Sequence, residues 1–164
     1  MSSTPTPNTS TPPANLIHYQ LMKYDFFIAG RWRNRDQVQH VTDIVRQAGF
    51  TAFCFLENDY TEVLDQLGLG VDAMESNNTE SLPLDHPLIQ AIFDKDIAGQ
   101  RDSDNLLVVL PAGIAAHMEA GISYGMGKKC YALGTPEKTE TLYSIFEQIF
   151  DSVESLQTWL AKSK

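Results

Sequence analysis

The chain has 164 residues, of which 43% are hydrophobic and 20% are charged, and its formal net charge is -9. This length suits one compact domain with a hydrophobic core and is too short for two ordinary domains. The negative charge repels nucleic acid polymers and anionic membrane surfaces, and no apolar run approaches the roughly 20 residues of a membrane helix.

The first 20 residues differ in composition from the rest. Residues 1–16 are mostly Ser, Thr, Pro and Asn and carry no charge, so they cannot bury enough surface to offset the entropy of ordering. We expect a disordered leader over residues 1–20 and a single α/β domain over residues 21–164. Cys54 and Cys130 lie in apolar stretches, which favours a reducing, cytoplasmic location.

The first part of this domain predicts a β-α-β unit. The apolar run Tyr24–Ala29 is typical of a buried strand. A helix with apolar residues at helical spacing follows, capped by Asn34 or Asp36 and stopped by Gly49. A second buried strand is predicted over Phe50–Leu56, so the two strands should be parallel.

The middle of the chain begins with an acidic segment rich in Gly, Asn and Ser. We expect residues 57–83 to form a long loop with at most one short helix, Thr61–Leu67. A helix is predicted from Pro87 to about Gly99. The unbroken apolar run Asn105–Leu110 then indicates a strand that is buried on both faces.

The last third continues the alternation. It predicts a helix over Ile114–Met126, a strand over Lys129–Leu133 and two closing helices, Glu140–Phe150 and Ser152–Lys162. The whole pattern predicts a doubly wound, three-layer α/β sandwich around a four- to five-stranded, mainly parallel sheet.

Glu119 is the main catalytic candidate, because ligands of such sheets bind beyond the carboxyl ends of the strands. It lies in a helix of small and apolar residues that follows the third strand. Desolvation raises the pKa of a carboxyl placed there, and the positive helix end lowers it. Such a carboxylate can attack an electrophilic carbon; alternatively, Glu119 faces solvent or complements the helix dipole.

A local basic patch follows the first strand. Arg31, Arg33 and Arg35 surround Trp32 at the ligand-binding edge, as an exception to the overall negative charge. Arginines can bind a phosphate by bidentate hydrogen bonds, and the indole can stack on a base or sugar. The alternative is a solvated surface loop.

Four further residues are candidates for the same crevice. Asp96 interrupts the apolar stripe of its helix, and Asp104 directly precedes the third strand; each can instead be a solvated or capping residue. His117 lies on a different helix face from Glu119 and is either a structural histidine or a substrate contact. Gly113 lies in the turn after the third strand.

Several of these segments occur in an order and spacing that is similar to one enzyme family. They are Phe27–Gly30, Asp96–Gly99, Asp104, Met118–Gly125 and Gly127–Lys129. Together they resemble the nucleoside 2-deoxyribosyltransferase family, including its relatives that hydrolyse nucleoside 5'-monophosphates. The resemblance covers most of residues 23–134.

The resemblance implies roles for particular residues. Glu119 would attack the anomeric carbon and form a covalent glycosyl-enzyme, and Asp96 would assist at the base and the sugar. Phe27 stands where many members carry a Tyr that orients the nucleophile, and Gly30 closes the same motif. A further aspartate of the transferases has no counterpart in residues 111–117, which favours hydrolysis over base exchange.

We therefore expect an enzyme that cleaves the N-glycosidic bond of a nucleotide or nucleoside, without a cofactor or metal, as a homodimer or larger homo-oligomer. The arginines favour a small phosphorylated ligand. The alternatives are an NAD hydrolase similar to TIR-type domains, which use a related layout with a Glu on a helix, and a non-catalytic nucleotide-binding or sensor domain.

Overall fold

A computed structural model of the protein describes residues 23–70, 78–138 and 140–164. The expected leader lies outside the described residues, as does the part of the expected long loop at residues 71–77. None of the helices in the described ranges is long and apolar enough to cross a membrane.

Strands and helices alternate along the described chain. The strands are β1 (Tyr24–Ala29), β2 (Ala52–Cys54), β3 (Ser103–Val109), β4 (Lys129–Leu133) and β5 (Phe146–Phe150). The helices are α1 (Arg35–Gln47), α2 (Thr61–Gln66), α3 (Pro87–Arg101), α4 (Ile114–Gly125) and α5 (Val153–Lys162). Short 3₁₀ helices cover Trp32–Asn34, Phe55–Glu57, Asn78–Ser81 and Thr141–Ile145.

The five strands form one sheet in the order β2-β1-β3-β4-β5, and each neighbouring pair is parallel. This confirms the predicted α/β fold. The chain adds strands on one side of β1 and then on the other, so the connections leave a crevice at the carboxyl ends of β1 and β3, where sheets of this order bind ligands.

Side chains alternate between the two faces of the sheet, as the pleat requires. Phe26 and Ile28 of β1 pack in the core layer that includes residues of α1 and α5. Phe27 and Ala29 pack in the opposite layer, with residues of α4. The buried strands therefore separate two apolar layers, and the helices cover both.

The segment that was predicted as a helix over Glu140–Phe150 is a 3₁₀ turn followed by β5, so that prediction was wrong. Its apolar residues recur at helical spacing, but β5 is an edge strand that fully buries Phe150 and leaves Glu147 and Gln148 exposed. Pairing with β4 therefore overrides the local pattern.

Several other boundaries differ from prediction by one or two residues. The second strand is shorter than Phe50–Leu56, because the chain turns into a 3₁₀ helix directly after Cys54. Helix α5 has a reciprocal cap: Ser155 N donates to Ser152 Oγ, and Ser152 N donates to Ser155 Oγ. A serine at the third position replaces the Glu or Gln of the usual capping box.

Candidate active site

A cavity of about 580 Å³ lies where the segments after β1, β2 and β3 meet helices α3 and α4. Its size is that of a small-molecule site. It is lined by Gly30, Arg31, Trp32, Phe55, Tyr60, Thr79, Ile92, Asp96, Gly113, Ile114, Ala115 and Glu119. The structure thus brings together six of the residues that the sequence analysis selected: Gly30, Arg31, Trp32, Asp96, Gly113 and Glu119.

Glu119 enters the cavity from the second turn of α4. The turn before it starts at Gly113, the N-cap, which leaves the helix N-terminus next to the cavity. Burial raises the pKa of the Glu119 carboxyl to about 8, and the negative charge of Asp96 adds to the shift. A carboxyl in this state gains protons more readily than one in water, because its charged form has lost hydration.

Asp96 faces Glu119 from the neighbouring helix α3. Burial raises the pKa of Asp96 to about 6. Its Oδ1 atom is buried and has no hydrogen-bond partner among the described residues. Because the charge of Asp96 acts on Glu119, the two carboxyls titrate as a coupled pair that holds one proton between about pH 6 and pH 8.

Tyr60 is a third ionisable group of the cavity, and the sequence analysis missed it. The side chain is 8% exposed, and its hydroxyl oxygen accepts a hydrogen bond from Asn58 Nδ2 at 3.1 Å. Burial, with a smaller contribution from the negative charge of Asp96, raises the pKa of Tyr60 to about 12. Tyr60 therefore remains a neutral hydroxyl beside the carboxyl pair at physiological pH.

Tyr60 is held in place through helix α3. The Nζ atom of Lys95 lies 4.7 Å from the centroid of the Tyr60 ring and donates a hydrogen bond to the backbone oxygen of Asp59. Asp59 in turn accepts hydrogen bonds from Thr61 N and Oγ1 at the start of α2. The sequence signal was the polar segment directly after β2, at the carboxyl edge of the sheet.

The basic segment after β1 divides into two parts. Arg31 and Trp32 line the cavity, whereas Arg33 is exposed and outside the lining. A Cβ atom built on Gly113 would lie 3.7 Å from the Cβ of Arg31, an ordinary contact distance, so the loops after β1 and β3 lie side by side here. At Gly30 an added Cβ would lie 2.4 Å from Cγ2 of the buried Val38, so the glycine allows α1 to approach the end of β1 closely.

Besides Arg33, three of the selected residues, Phe27, Asp104 and His117, are outside the lining of the cavity. Phe27 has 0% exposure and stacks on Phe53 with ring centroids 5.1 Å apart, so it is a core residue beneath the site rather than a substrate contact. Asp104 lies at the amino end of β3, the edge opposite the cavity, and forms an ion pair with Lys23 at 2.6 Å. The first residues of a parallel strand necessarily lie at that edge.

His117 lies on the other side of α4 from the cavity lining. Its Nδ1 is 2.7 Å from the Gly113 oxygen, and its Nε2 is 2.8 Å from the hydroxyl of Tyr143. It borders two other cavities of about 210 and 460 Å³, next to the 3₁₀ helix Thr141–Ile145. Both ring nitrogens of His117 therefore have partners within the protein, which is typical of a structural histidine.

Within the described parts of the chain, no group of three or more His, Cys, Asp or Glu side chains is arranged to hold a metal ion. The chemistry that the cavity can support comes from a coupled pair of carboxyls, a neutral tyrosine hydroxyl, an arginine and an indole. Such a set can donate a proton, attack an electrophilic carbon and bind an anion.

No protein-family model matches the chain, and no curated protein matches it in sequence. Among solved structures, the chain is similar to a 2-deoxyribosyltransferase from the psychrotolerant bacterium Bacillus psychrosaccharolyticus, described as a biocatalyst for the synthesis of nucleosides. The two share 16% sequence identity with a TM-score of 0.58, over 80% of this chain and 89% of the other. The similarity shows a shared fold.

Proposed function

We propose that the protein cleaves the N-glycosidic bond of a nucleotide or nucleoside. The observation that carries this proposal is that Glu119 and Asp96 share one cavity and that burial raises the pKa of both carboxyls. Displacement at an anomeric carbon uses two carboxyl groups in different protonation states. The shared fold with a 2-deoxyribosyltransferase is consistent with this chemistry.

Glu119 acts as the nucleophile in the proposed reaction. A carboxylate oxygen of Glu119 bonds to the anomeric carbon, and the electron pair of the C–N bond leaves with the base. Asp96 donates its proton to the departing base. In the second step Asp96 accepts a proton from water as the water oxygen attacks the same carbon, and Glu119 is released as a carboxylate.

The proposed steps need the single proton of the pair on Asp96, whereas in the free cavity the pKa values of about 6 for Asp96 and about 8 for Glu119 favour it on Glu119. The proposal therefore requires that substrate binding moves this proton from Glu119 to Asp96 before the attack. Each carboxyl disfavours ionisation of the other. The positive charge that develops on the sugar then stabilises the ionised state of Glu119 as the bond breaks.

We propose a phosphorylated substrate and hydrolysis rather than base transfer. Arg31 is an exposed cation at a cavity whose other ionisable lining residues are two acids and a tyrosine, so it is the group that suits a phosphate. Residues 111–117 contain no carboxylate, which leaves one aspartate fewer than the resemblance to the transferases requires.

The proposal is tested by incubation of the protein with deoxynucleoside monophosphates, ribonucleoside monophosphates, the matching nucleosides and NAD, followed by chromatography of the free base. Glu119→Gln should abolish base release. Glu154→Gln is the matched control, because Glu154 is exposed in the first turn of α5. An excess of a second base distinguishes transfer, which yields a new nucleoside, from hydrolysis, which does not.

Other outcomes of the same panel decide among the alternatives. Release of nicotinamide from NAD alone would make the protein an NAD hydrolase. Binding of nucleotides without base release, in both the wild type and Glu119→Gln, would contradict an enzymatic role and support a nucleotide sensor.

A further inference from the structure

The indole N–H of Trp32 is a buried hydrogen-bond donor at the cavity. Trp32 begins the 3₁₀ helix that follows β1 and lines the same cavity as the carboxyl pair. Its Nε1 atom is buried and has no hydrogen-bond partner among the described residues. A buried tryptophan N–H normally finds a partner, since an unpaired donor loses the hydration of that group without compensation.

The ring of Trp32 already has neighbours. The guanidinium carbon of Arg35 lies 5.9 Å from the ring centroid, and the ring of Phe55 is tilted against it with a centroid distance of 6.5 Å. These contacts fix the orientation of the indole. They also leave less room for a base to stack on its faces, so the N–H edge is the part of Trp32 with an unmet interaction.

Trp32 and Asp96 both line the cavity, and each carries a buried polar atom without a partner among the described residues: the donor Trp32 Nε1 and the acceptor Asp96 Oδ1. A phosphate offers acceptors only, and the carboxyl pair repels it, whereas Arg31 is exposed and positively charged. A nucleobase is neutral and offers both acceptors and donors on its edges. The buried groups therefore suit the base, and the exposed arginine suits the phosphate.

We propose that Trp32 determines base specificity: its Nε1–H donates a hydrogen bond to a ring nitrogen or carbonyl oxygen of the nucleobase. This inference rests on the proposed function, which supplies the position of the base. A hydrogen bond from the indole N–H distinguishes bases by the acceptors on their edges, whereas stacking on the indole ring would not. Substrates that lack an acceptor at that point leave the buried donor unpaired and bind more weakly.

The chain allows a direct readout, because it contains two tryptophans. In ¹H–¹⁵N spectra each gives one indole N–H signal. Trp159 lies in the core layer that includes residues of α1 and α5, and its ring packs on Tyr131 and Phe150. Its signal is therefore an internal reference that also reports whether each variant is folded, and Trp32→Phe identifies the signal of Trp32.

The experiment uses the full chain with Glu119→Gln, which prevents turnover, and compares the four common deoxynucleoside monophosphates with 2-deoxyribose 5-phosphate, which has no base. At least one nucleotide should shift the Trp32 signal downfield, whereas the sugar phosphate should leave it unchanged and neither should move the Trp159 signal. In calorimetry, Trp32→Phe should weaken nucleotide binding about 10-fold and sugar phosphate binding much less. Trp159→Phe is the matched control and should bind both as before.

Other results separate this inference from the proposed function. An equal shift with the sugar phosphate, or unchanged nucleotide affinity in a folded Trp32→Phe variant, would overturn the role of Trp32 while base release by the wild type stands. Binding with the expected shift but no cleavage by the wild type would support the role of Trp32 and overturn the reaction. If no probe bound, both would fall.

Discussion

Helix α4 carries two polar side chains two residues apart, His117 and Glu119, on opposite sides of the helix and in opposite situations. Both ring nitrogens of His117 have hydrogen-bond partners, namely the backbone oxygen of Gly113, the N-cap of α4, and the hydroxyl of Tyr143. Glu119 lies in the cavity, where burial and the charge of Asp96 raise its pKa to about 8. A satisfied polar group stabilises the fold, whereas a desolvated carboxyl beside a second one reduces stability and is poised for proton transfer.

The largest effect that distinguishes the two sides of α4 is on activity. Glu119→Gln removes the nucleophile and should reduce base release on the order of 1,000-fold or more. Tyr143→Phe removes the partner of His117 on the other side and should leave the rate within about 2-fold, since one hydrogen bond remote from the reacting atoms is lost. Steady-state rates at pH 7 measure both. Equal losses would show that the sides do not differ.

The carboxyl pair predicts a bell-shaped pH dependence. The ratio kcat/KM should rise near pH 6, where the pair loses its first proton, and fall near pH 8, where it loses its second. In Asp96→Asn the rate should drop about 100-fold or more because the acid is gone. The activity that remains in Asp96→Asn should follow the ionisation of Glu119 alone, and the midpoint of this rise should lie below pH 8, because the charge of Asp96 no longer raises the pKa of Glu119. A pH profile identical in shape to that of the wild type would disprove the coupling.

Two arginines two residues apart give an effect of intermediate size. Arg31 lines the cavity and Arg33 does not. Arg31→Ala should therefore raise KM for a nucleotide about 10-fold to 100-fold and hardly change it for the matching nucleoside. Arg33→Ala should change neither. Equal effects of Arg31→Ala on nucleotide and nucleoside would contradict a phosphate contact.

The last effect is on stability rather than on activity. Folding raises the pKa of Glu119 from about 4.5 to about 8, so the native state holds more protons than the unfolded state in that range and the free energy of unfolding falls as pH rises. Glu119→Gln should therefore stabilise the protein at pH 9, by roughly 2–4 kcal/mol, and hardly at pH 4. Thermal unfolding of Glu154→Gln, whose carboxyl is exposed, should show no such trend.

The sequence predicted those elements whose apolar spacing and end signals agree with the tertiary environment, such as β1, α1, α3, β3 and α4. It failed at β5, where Ile145, Phe146 and Ile149 recur at helical spacing although the segment pairs with β4. An edge strand has little apolar burial to mark it, so its pairing is decided by the sheet and not by the local pattern.

Part of the candidate site was also predictable from the sequence. Glu119, Asp96 and Arg31 were found because they are polar exceptions in apolar or acidic surroundings next to strand ends. Tyr60 was missed because its burial depends on contacts between α2 and α3 that no periodicity reveals. Asp104 lies away from the cavity because it is at the start of β3, and the start of a parallel strand lies at the amino edge of the sheet.

The covalent step at Glu119 is the most direct test of the proposed mechanism. The protein is mixed with a nucleotide whose sugar carries fluorine at C2, which slows loss of the sugar from the enzyme, and is quenched for mass spectrometry of the intact chain and its peptides. The account predicts a mass increase equal to the nucleotide minus its base, on the peptide that contains Glu119 and absent in Glu119→Gln. Base release with the sugar attached to a different residue, or undiminished in Glu119→Gln, would contradict it.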